Sequence, residues 1–440
     1  MKEFELFIDA EHMRQIFQQR LPEFSQGDLF IAGCQILRTR YKTYKKTSSR
    51  GKSFLTACYR LEVENKRTQQ RGTQFLYMKA YLQGQSRNEF AKLKPARLIK
   101  PEFGEALVHL EDLDVIIWAF PNDPSLPHLP EVVDPERVRK YLPIENLSIK
   151  SADYCEIRVE IVHYYPEQRC TCRYELQTGE VDALRLFGKT FKDDSGNELY
   201  RRMSYFWEKS RDKLDGLFVA PPLGYDEKSK TVWQKAVAGK PLAEVMNAAN
   251  YESLLDAVAK GLTALHKSRL PNLPQIDFNE QLPELRKKAA KLIQAFPPLQ
   301  NHLQTILASL EKSAPDWARS ARQVIHGDFQ AKQLLVSDGK VFFFDFDELA
   351  LGDPLQDVAS FVVDLHLHDF VPSLVQRMIT TFIRSYRERA EWETARNRLN
   401  WHIKFQLVTK AYRMLTYWQH QPDLENKIYR LINFERTFEK

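Results

Sequence analysis

The chain has 440 residues, of which 43% are hydrophobic and 28% are charged, and its formal net charge is +6. This composition excludes a disordered chain, and the length predicts roughly two to four domains or lobes. The acidic start MKEFELFIDAEHMRQIF is unlike an export signal, and the sequence contains no apolar run long enough to span a membrane. We therefore expect a cytoplasmic protein with no membrane partner.

The densest basic cluster is RYKTYKKTSSRGK, at residues 40–52. The other basic residues are spread widely along the chain. We therefore interpret the cluster as the solvated tip of a hairpin, with a nucleic-acid patch as the weaker alternative. No nucleic-acid partner is expected.

Strands are predicted mainly in residues 30–82 and 155–192, which alternate apolar with polar residues and are rich in β-branched and aromatic residues. From about residue 243 onward, apolar residues recur with helical spacing, as in ESLLDAVAKGLTALHK. Residues 120–148, between the two strand-rich segments, contain six prolines. Prolines at this density predict an extended connection and the main domain boundary.

The two strand-rich segments resemble each other, which indicates an internal repeat. In each segment a strand ends near a lysine that is followed after about ten residues by a glutamate: Lys79 with Glu89, and Lys189 with Glu198. Chance similarity between two amphipathic sheets is the alternative. The repeat leaves open whether Lys79 or Lys189 has a functional role.

The segment VIHGDFQAKQLLVSDGKVFFFDFDELALGDPLQDVASF, at residues 324–361, carries the most chemical information. We predict a loop that begins His-Gly-Asp, a strand QLLV, an Asp-Gly turn and a second strand VFFFDF. Antiparallel pairing of these strands places Asp328 beside Asp345 and Asp347 at one end of the hairpin. Carboxylates at such short separation repel, and proteins usually neutralise them with a divalent cation.

Phosphoryl transfer uses one carboxylate on the attacking hydroxyl, a second carboxylate and a neutral oxygen on magnesium, and a lysine on the phosphates. Asp328 is predicted to be the base, Gln333 the neutral metal ligand and Asp345 the metal-bridging carboxylate. Asp347 is interpreted either as a further metal ligand or as a turn cap.

The phosphate-binding lysine is expected on an upstream strand, paired with a glutamate from a helix. Lys189 with Glu198 and Lys79 with Glu89 both have suitable spacing. The chain order favours Lys189, because its segment leads directly into the helical region.

HGDFQAKQLL followed by FFFDFDELALGDPLQDVASF resembles the aminoglycoside phosphotransferase and choline kinase superfamily, whose pattern is His-Gly-Asp-x4-Asn, Ile-Asp-x2 and Gly-Asp-Pro-x2-Asp. The resemblance extends more loosely over residues 150–440. It implies that Asp328 is catalytic, that Gln333 replaces the usual metal-binding Asn, and that Asp345 binds metal. It also implies that Asp357 braces the catalytic loop.

The same resemblance implies that Gln234, Lys235 and Ala236, in TVWQKAVAGKPL, belong to the hinge strand that receives the adenine. His326 is interpreted as a residue that positions the loop without transferring protons. Neither candidate nucleotide lobe contains a Gly-x-Gly-x-x-Gly loop. The turn in HYYPEQRCT, residues 163–171, is expected to cover the phosphates with ordinary backbone amides.

The fold class implied is α+β: a protein-kinase-like bilobal fold, with a β-rich small lobe and an α-rich large lobe, preceded by a β-rich N-terminal cap domain. The predicted domains are residues 1–147 for the cap, which is interpreted as a duplicated small lobe, 148–238 for the nucleotide lobe and 239–440 for the helical lobe. The cleft between the last two is the expected active site.

The expected function is transfer of the γ-phosphate of ATP, with GTP left open, to a hydroxyl of a small substrate in the presence of Mg²⁺. Bacterial maltokinases resemble this chain in having His-Gly-Asp-x4-Gln and an N-terminal cap, which points to a sugar. Residues 377–440 contain 13 Lys and Arg against 7 Asp and Glu, which favours a neutral or anionic acceptor over a polycation.

Two alternatives concern the type of kinase. The missing glycine-rich loop and the Gln substitution motivate a nucleotide-binding pseudokinase or scaffold without turnover. A protein kinase is disfavoured, because this chain has His-Gly-Asp and Asp-Phe-Asp where protein kinases have His-Arg-Asp and Asp-Phe-Gly.

Overall fold

A computed structural model gives the structure of the protein and describes residues 2–43, 53–93, 98–147, 154–178, 181–212, 215–314, 322–418, 420–421 and 423–438. Most of the basic cluster at residues 40–52 lies outside these described residues. The chain divides into two compact units. The first unit comprises Met1–Gly196, Gly224–Trp233 and Leu415–Pro422, and the second comprises Asn197–Leu223, Gln234–Met414 and Asp423–Lys440.

Among the described residues, the β-strands are β1 (Leu29–Thr43), β2 (Ser53–Asn65), β3 (Arg71–Ala80), β4 (Leu107–Leu110), β5 (Val115–Ala119), β6 (Tyr154–Tyr165), β7 (Arg169–Thr178), β8 (Val181–Phe191), β9 (Phe218–Val219), β10 (Pro222–Asp226), β11 (Thr231–Lys235), β12 (Lys240–Pro241), β13 (Gln323–Ile325), β14 (Leu334–Ser337), β15 (Lys340–Phe343) and β16 (Ala350–Gly352). The α-helices are α1 (Ala10–Arg20), α2 (Pro22–Ser25), α3 (Gln85–Lys92), α4 (Leu129–Val132), α5 (Ser195–Asp212), α6 (Leu242–Val245), α7 (Tyr251–His266), α8 (Phe278–Ala295), α9 (Gln300–Lys312), α10 (Leu355–Leu367), α11 (Pro372–Arg389), α12 (Arg396–Tyr417) and α13 (Leu424–Phe438).

The first sheet of unit one is five-stranded with the order β1-β2-β3-β5-β4. Its strand pairs are antiparallel. Alternating residues of these strands form a buried face, and α1 covers it with Met13 and Phe17. The Phe17 ring meets the edge of Tyr59 at 5.0 Å. This sheet and its helix thus have a hydrophobic core of their own.

The second sheet has the order β6-β7-β8-β11-β10, which is the order of the first sheet for strands taken in sequence. In both sheets a helix, α3 or α5, follows the third strand. Gly188 on β8 allows Tyr174 and Trp233 to pack across the sheet, because a Cβ at this position would lie 2.9 Å from each ring. The two sheets therefore repeat one arrangement of five strands and a helix, although a common origin stays a prediction.

Unit two is mainly helical and holds two small sheets, β12-β14-β15-β9 and β13-β16. Helix α10 lies at its centre, and ten of its residues are buried. Helix α7 is also largely buried along its second half. These two helices carry the polar side chains that hold the candidate site.

The predicted α+β class is confirmed, with a β-rich N-terminal part and a helical C-terminal part. The domain boundaries at residues 147 and 238 stay predictions. Within the described residues, none of the helices combines the length and the apolarity required to span a membrane.

Candidate active site

A β-hairpin in unit two, formed by β14 and β15, is flanked by the predicted metal ligands Gln333, Asp345 and Asp347. Leu334 on β14 faces Phe343 on β15 across the antiparallel pair. Asp338 and Gly339 turn the chain with positive φ angles of 48° and 73°, as a tight two-residue turn requires. The turn is therefore the predicted Asp-Gly turn.

At the open end of this hairpin, the Phe344 N–H donates to the Gln333 carbonyl at 3.0 Å. Strand β15 ends at Phe343, so the second strand is shorter than the predicted VFFFDF. The reason is Asp345, whose φ of 66° is left-handed and takes the backbone out of the ladder. Gln333 and Asp345 are consequently brought to the same end of the hairpin.

The loop before the hairpin requires glycine at its second position. Gly327 has a φ of +83°, and a Cβ there would lie 2.2 Å from the carbonyl oxygen of Glu348. A side chain would therefore displace either the loop or the segment after Asp345. This close approach explains the glycine in His-Gly-Asp in physical terms.

Asp357, near the start of α10, is fully buried and binds the beginning of this loop. Its Oδ2 accepts the His326 backbone N–H at 2.6 Å, and its Oδ1 accepts the Gly327 N–H at 3.0 Å. The His326 ring is also buried, with Nε2 lying 2.9 Å from the Phe344 carbonyl oxygen. A buried carboxylate with three or more donors is well compensated, and these bonds orient the backbone just before Asp328.

The third donor to Asp357 is His266, at the end of α7. Its Nε2 lies 3.0 Å from Asp357 Oδ2, and its Nδ1 lies 2.8 Å from the Tyr386 hydroxyl. Trp392 Nε1 donates to the same hydroxyl at 3.2 Å. Burial raises the pKa of Tyr386 well above its ordinary value, so the phenol remains protonated. The brace of the loop is thus a buried polar network spanning three helical segments.

A second carboxylate on α10, Asp364, binds the other end of the loop. Its Oδ2 accepts the Ala331 N–H at 2.8 Å, and its Oδ1 accepts from Lys410 Nζ at 3.0 Å. Burial acts to raise the pKa of Asp364, but the charge of Lys410 and the hydrogen bonds to the carboxylate hold that pKa well below its usual range. Asp357 and Asp364 are seven residues apart, so both project from one face of the helix.

Asp328 lies between these two anchored ends, with its side chain 18% exposed. Arg413 on α12 approaches it with Nη1 2.7 Å from Oδ1 and Nη2 3.4 Å from Oδ2. Gln333 Nε2 lies 3.5 Å from the same Oδ2, and its Oε1 accepts the Gln330 N–H at 3.2 Å. The predicted base is therefore partly accessible and paired with a guanidinium.

More positive charge lies near Arg413, on α8. Lys291 Nζ donates to the Tyr412 hydroxyl at 3.2 Å, which joins α8 to α12 at this point. Burial lowers the pKa of Lys288, and the charge of Arg413 acts in the same direction. Basic side chains of α8 thus lie close to those of α12, the helix that pairs with Asp328.

The donor set at the hairpin end fits Mg²⁺. The described residues assemble no group of three or more His, Cys, Asp or Glu side chains suited to a metal. Mg²⁺ does not require such a group, because it is usually held by one or two carboxylates together with nucleotide phosphates and waters. Gln333, Asp345 and Asp347 supply an amide oxygen and two carboxylates near one hairpin end. Arg202 on α5 holds this segment by donating to the carbonyls of Phe346 and Asp347 at 3.2 and 2.7 Å.

The predicted nucleotide residues are distributed between the units. Lys189 lies on β8 in unit one. Glu198, on α5 in unit two, contacts Arg202 at 3.4 Å and Arg201 at 3.9 Å, and its pairing with Lys189 stays a prediction.

The residues predicted to receive the adenine lie at the end of β11. Gln234 and Lys235 are its last two residues, and Ala236 follows the strand. The Lys235 N–H is already donated to the Pro221 carbonyl at 2.9 Å. The Lys235 N–H is therefore not available to an adenine. Gln234 and Ala236 are both partly exposed and keep their predicted roles as backbone candidates.

Sequence reasoning missed Arg413, His266, Tyr386, Asp364 and Lys410. Of these residues, Asp364 could most easily have been predicted from the sequence. A second acid seven residues after Asp357, in the apolar run DVASFVVDL, indicates a second buried contact. Arg413 is 85 residues from Asp328 and lies in a helix rich in basic residues, so no local pattern distinguishes it.

Part of this chain is similar to known proteins. Residues 215–396 match the model described as the phosphotransferase enzyme family, APH. The protein LicA homolog of Metamycoplasma hominis is 26% identical over 189 residues, which cover 41% of this chain and 70% of that protein.

Among solved structures, a thermostable mutant of aminoglycoside phosphotransferase APH(4)-Ia, in a ternary complex with ADP and hygromycin B, is 15% identical with a TM-score of 0.48, covering 68% of this chain and 98% of that chain. The GDP complex of aminoglycoside 2'-phosphotransferase-IIIa is 16% identical with a TM-score of 0.46, covering 68% and 99%. The matched segment, residues 215–396, includes the braced loop and the hairpin, so this part of the chain is similar to the phosphotransferase enzyme family.

Proposed function

We propose that the chain transfers the γ-phosphate of ATP to a hydroxyl of a small substrate, a sugar or a sugar derivative of the kind that maltokinase-like enzymes use. The observation that carries this proposal is the loop braced by Asp357 and Asp364, which presents Asp328 next to the amide of Gln333. Such rigid support is what positioning of a catalytic carboxylate requires.

In the proposed reaction, Asp328 accepts a hydrogen bond from the acceptor hydroxyl and orients its oxygen toward the γ-phosphorus. Gln333 and Asp345 would hold Mg²⁺, with Asp347 as a further oxygen ligand, and the bound ion neutralises charge on the phosphates. The Gln333 oxygen accepts the Gln330 N–H, and its second lone pair is the one that would bind the ion. His326 and Asp357 keep the loop in place and take no proton.

For the nucleotide, Lys189 is proposed to bind the α- and β-phosphates, and Glu198 to orient it. Adenine would contact backbone groups of Gln234 and Ala236 and the carbonyl of Lys235. ADP and GDP occur in the solved complexes named above, which supports a purine nucleotide as cofactor and makes GTP the second nucleotide to test.

We expect Lys189→Ala to lower kcat/KM for ATP by about 10²-fold, because a positioned cation on the phosphates would be lost. Steady-state kinetics over a range of ATP concentrations measure this. Lys192→Ala, an exposed lysine three residues further on, serves as the matched control and should behave like the parent. An equal loss in both variants would show that Lys189 has no specific role.

The charge near Asp328 favours an anionic acceptor over a polycation such as an aminoglycoside. Arg413 is 46% exposed beside the proposed base, and Lys288 and Lys291 lie on the adjoining helix. A phosphate or carboxylate on the acceptor would interact favourably with these cations, whereas an ammonium group would be repelled.

Arg413→Gln is expected to remove this preference. With glucose, glucosamine, glucuronate and glucose 6-phosphate as acceptors, the ratio of kcat/KM for anionic over neutral members should fall by about tenfold or more, the value of one charge-assisted hydrogen bond. Arg286→Gln, which breaks an exposed pair with Glu311, is the control. A ratio that Arg413→Gln leaves unchanged would exclude Arg413 from acceptor recognition.

The ion pair between Arg413 and Asp328 also favours a second function, a nucleotide-binding pseudokinase, since pairing with a guanidinium makes a carboxylate a weaker base. Incubation with Mg²⁺ and ATP or GTP, over a panel of sugars, sugar acids, aminosugars and choline, distinguishes the two. Turnover supports the enzyme. A thermal shift by nucleotide without turnover supports the pseudokinase. If neither turnover nor a thermal shift is observed, both functions are contradicted.

A further inference from the structure

The turn between β6 and β7, at residues 165–169, is held by the first sheet of the same unit. Asp123, which follows the last strand of that sheet, is 7% exposed. Its Oδ2 accepts the Tyr164 hydroxyl at 2.7 Å and the Glu167 N–H at 2.8 Å. Tyr164 itself is buried and meets the ring of Phe120 edge-on at 5.0 Å. The base of the turn is therefore fixed by residues outside its own sheet.

The tip of the turn is held by an ion pair. Lys79 on β3 binds the carboxylate of Glu167, and the two side chains are only 16% and 18% exposed. Lys79 Nζ also lies 5.8 Å from the ring centroids of Phe54, Tyr77 and Trp118. A partly desolvated ion pair with aromatic neighbours is stronger and less screened by salt than a surface pair.

A third contact holds the first residue of the turn. The Arg38 guanidinium on β1 lies between two tyrosine rings, 4.4 Å from the centroid of Tyr165 and 4.2 Å from that of Tyr417. Arg169, at the other end of the turn, lies 5.3 Å from the Tyr165 centroid. The turn is thus bound at its base, its tip and its first residue.

These contacts indicate that Lys79 has a different role from Lys189, which occupies the equivalent position in the second sheet. Lys79 and Lys189 both lie near the end of the third strand of their sheets. Lys79 is turned to Glu167 and is paired there. A lysine held in a largely buried ion pair is poorly placed to bind phosphates, so the first sheet supports the second instead of duplicating its role.

The turn itself needs such support. It has no glycine, and Glu167 adopts a left-handed φ of 60°, a conformation that costs free energy for a residue with a Cβ. A glycine-rich phosphate loop reaches its conformation without this cost. Here the Asp123 carboxylate binds the N–H of the strained residue, and Lys79 binds its side chain.

We propose that the N-terminal sheet is a positioning device for nucleotide binding, in which Lys79 and Asp123 hold the glycine-free β6–β7 turn in the conformation that covers the phosphates. This inference rests on the proposed function, since it assigns the turn to the nucleotide. Lys79, Glu167 and Asp123 are positioning residues, because they act through the turn and not on the reacting atoms.

The test uses the full chain with Lys79→Met, which keeps the apolar stem, and Glu167→Gln, which removes the charge from the other side. Hydrogen exchange without nucleotide should show about tenfold faster exchange confined to residues 165–169 in both variants. The KM for ATP should rise about five- to tenfold while the KM for the acceptor stays constant, because a smaller fraction of molecules has a binding-competent turn. Calorimetric titration with ADP gives the same comparison without turnover.

Arg185→Gln is the control, since it breaks an exposed pair with Glu175 on the same sheet. The proposal is overturned if exchange in the turn does not change, or if it accelerates with no loss of nucleotide affinity in either variant. A parent chain that binds no nucleotide would overturn this proposal and the proposed function together. A parent that binds normally beside unaffected variants overturns only the positioning role.

Discussion

Asp328→Asn is expected to lower kcat by about 10²- to 10⁴-fold, the range over which a positioned general base contributes to catalysis. The amide has almost the same shape as the carboxylate, so it fits between the two anchored ends of the loop. It cannot accept a proton, and it loses the charge that attracts Arg413. The dissociation constant for nucleotide should remain close to that of the parent, because Asp328 is proposed to contact the acceptor hydroxyl and not the nucleotide.

Initial rates with saturating ATP, together with ADP titration, measure both quantities. Asp338→Asn is the matched control, since it changes an exposed carboxylate at the opposite end of the same hairpin. Retention of the parent rate by Asp328→Asn would assign the base to another group. If ADP affinity fell along with kcat, the residue would have to be assigned to the nucleotide or to the metal.

The hairpin was predictable from sequence because its determinants are local. Asp338-Gly339 specifies the turn, and the apolar runs on either side specify the strands. Once the register follows from the turn, the grouping of Asp328, Gln333 and Asp345 at one end follows from strand length. The exception is the end of β15, where the left-handed backbone of Asp345 was not visible in an apolar run.

The partners of this loop were not predictable, because they depend on how helices far apart in sequence are packed. His266 and Tyr386 are 120 residues apart, and each looks like an ordinary core residue at helical spacing. The role of Lys79 was not predictable from the sequence for the same reason. Spacing alone made it equivalent to Lys189, and only its contact with Glu167, 88 residues later, separates the two lysines.

Asp357→Ala is expected to lower the free energy of unfolding of the second unit by about 3–5 kcal/mol, the cost of removing one partner from a buried charged network. Three donors lose their acceptor at once: the N–H groups of His326 and Gly327 and the ring of His266. Each buried donor without a partner costs about 1–3 kcal/mol, and partial relaxation reduces their sum. A loss of this size is a large fraction of the stability of an ordinary domain.

Urea unfolding gives the global effect, and hydrogen exchange of residues 326–331 gives the local one. His266→Gln leaves the two backbone donors to Asp357 in place and should cost less, about 1–3 kcal/mol, so it remains measurable if the alanine variant does not fold. Asp369→Ala, an exposed acid just beyond the same helix, should change stability by less than about 0.5 kcal/mol. Equal stability of Asp357→Ala and Asp369→Ala would mean that the loop is held by packing alone. If Asp357→Ala is instead the less stable variant, the conformation of Asp328 depends on the buried carboxylate of Asp357. Activity should then be lost at lower urea concentrations than those that unfold the helices.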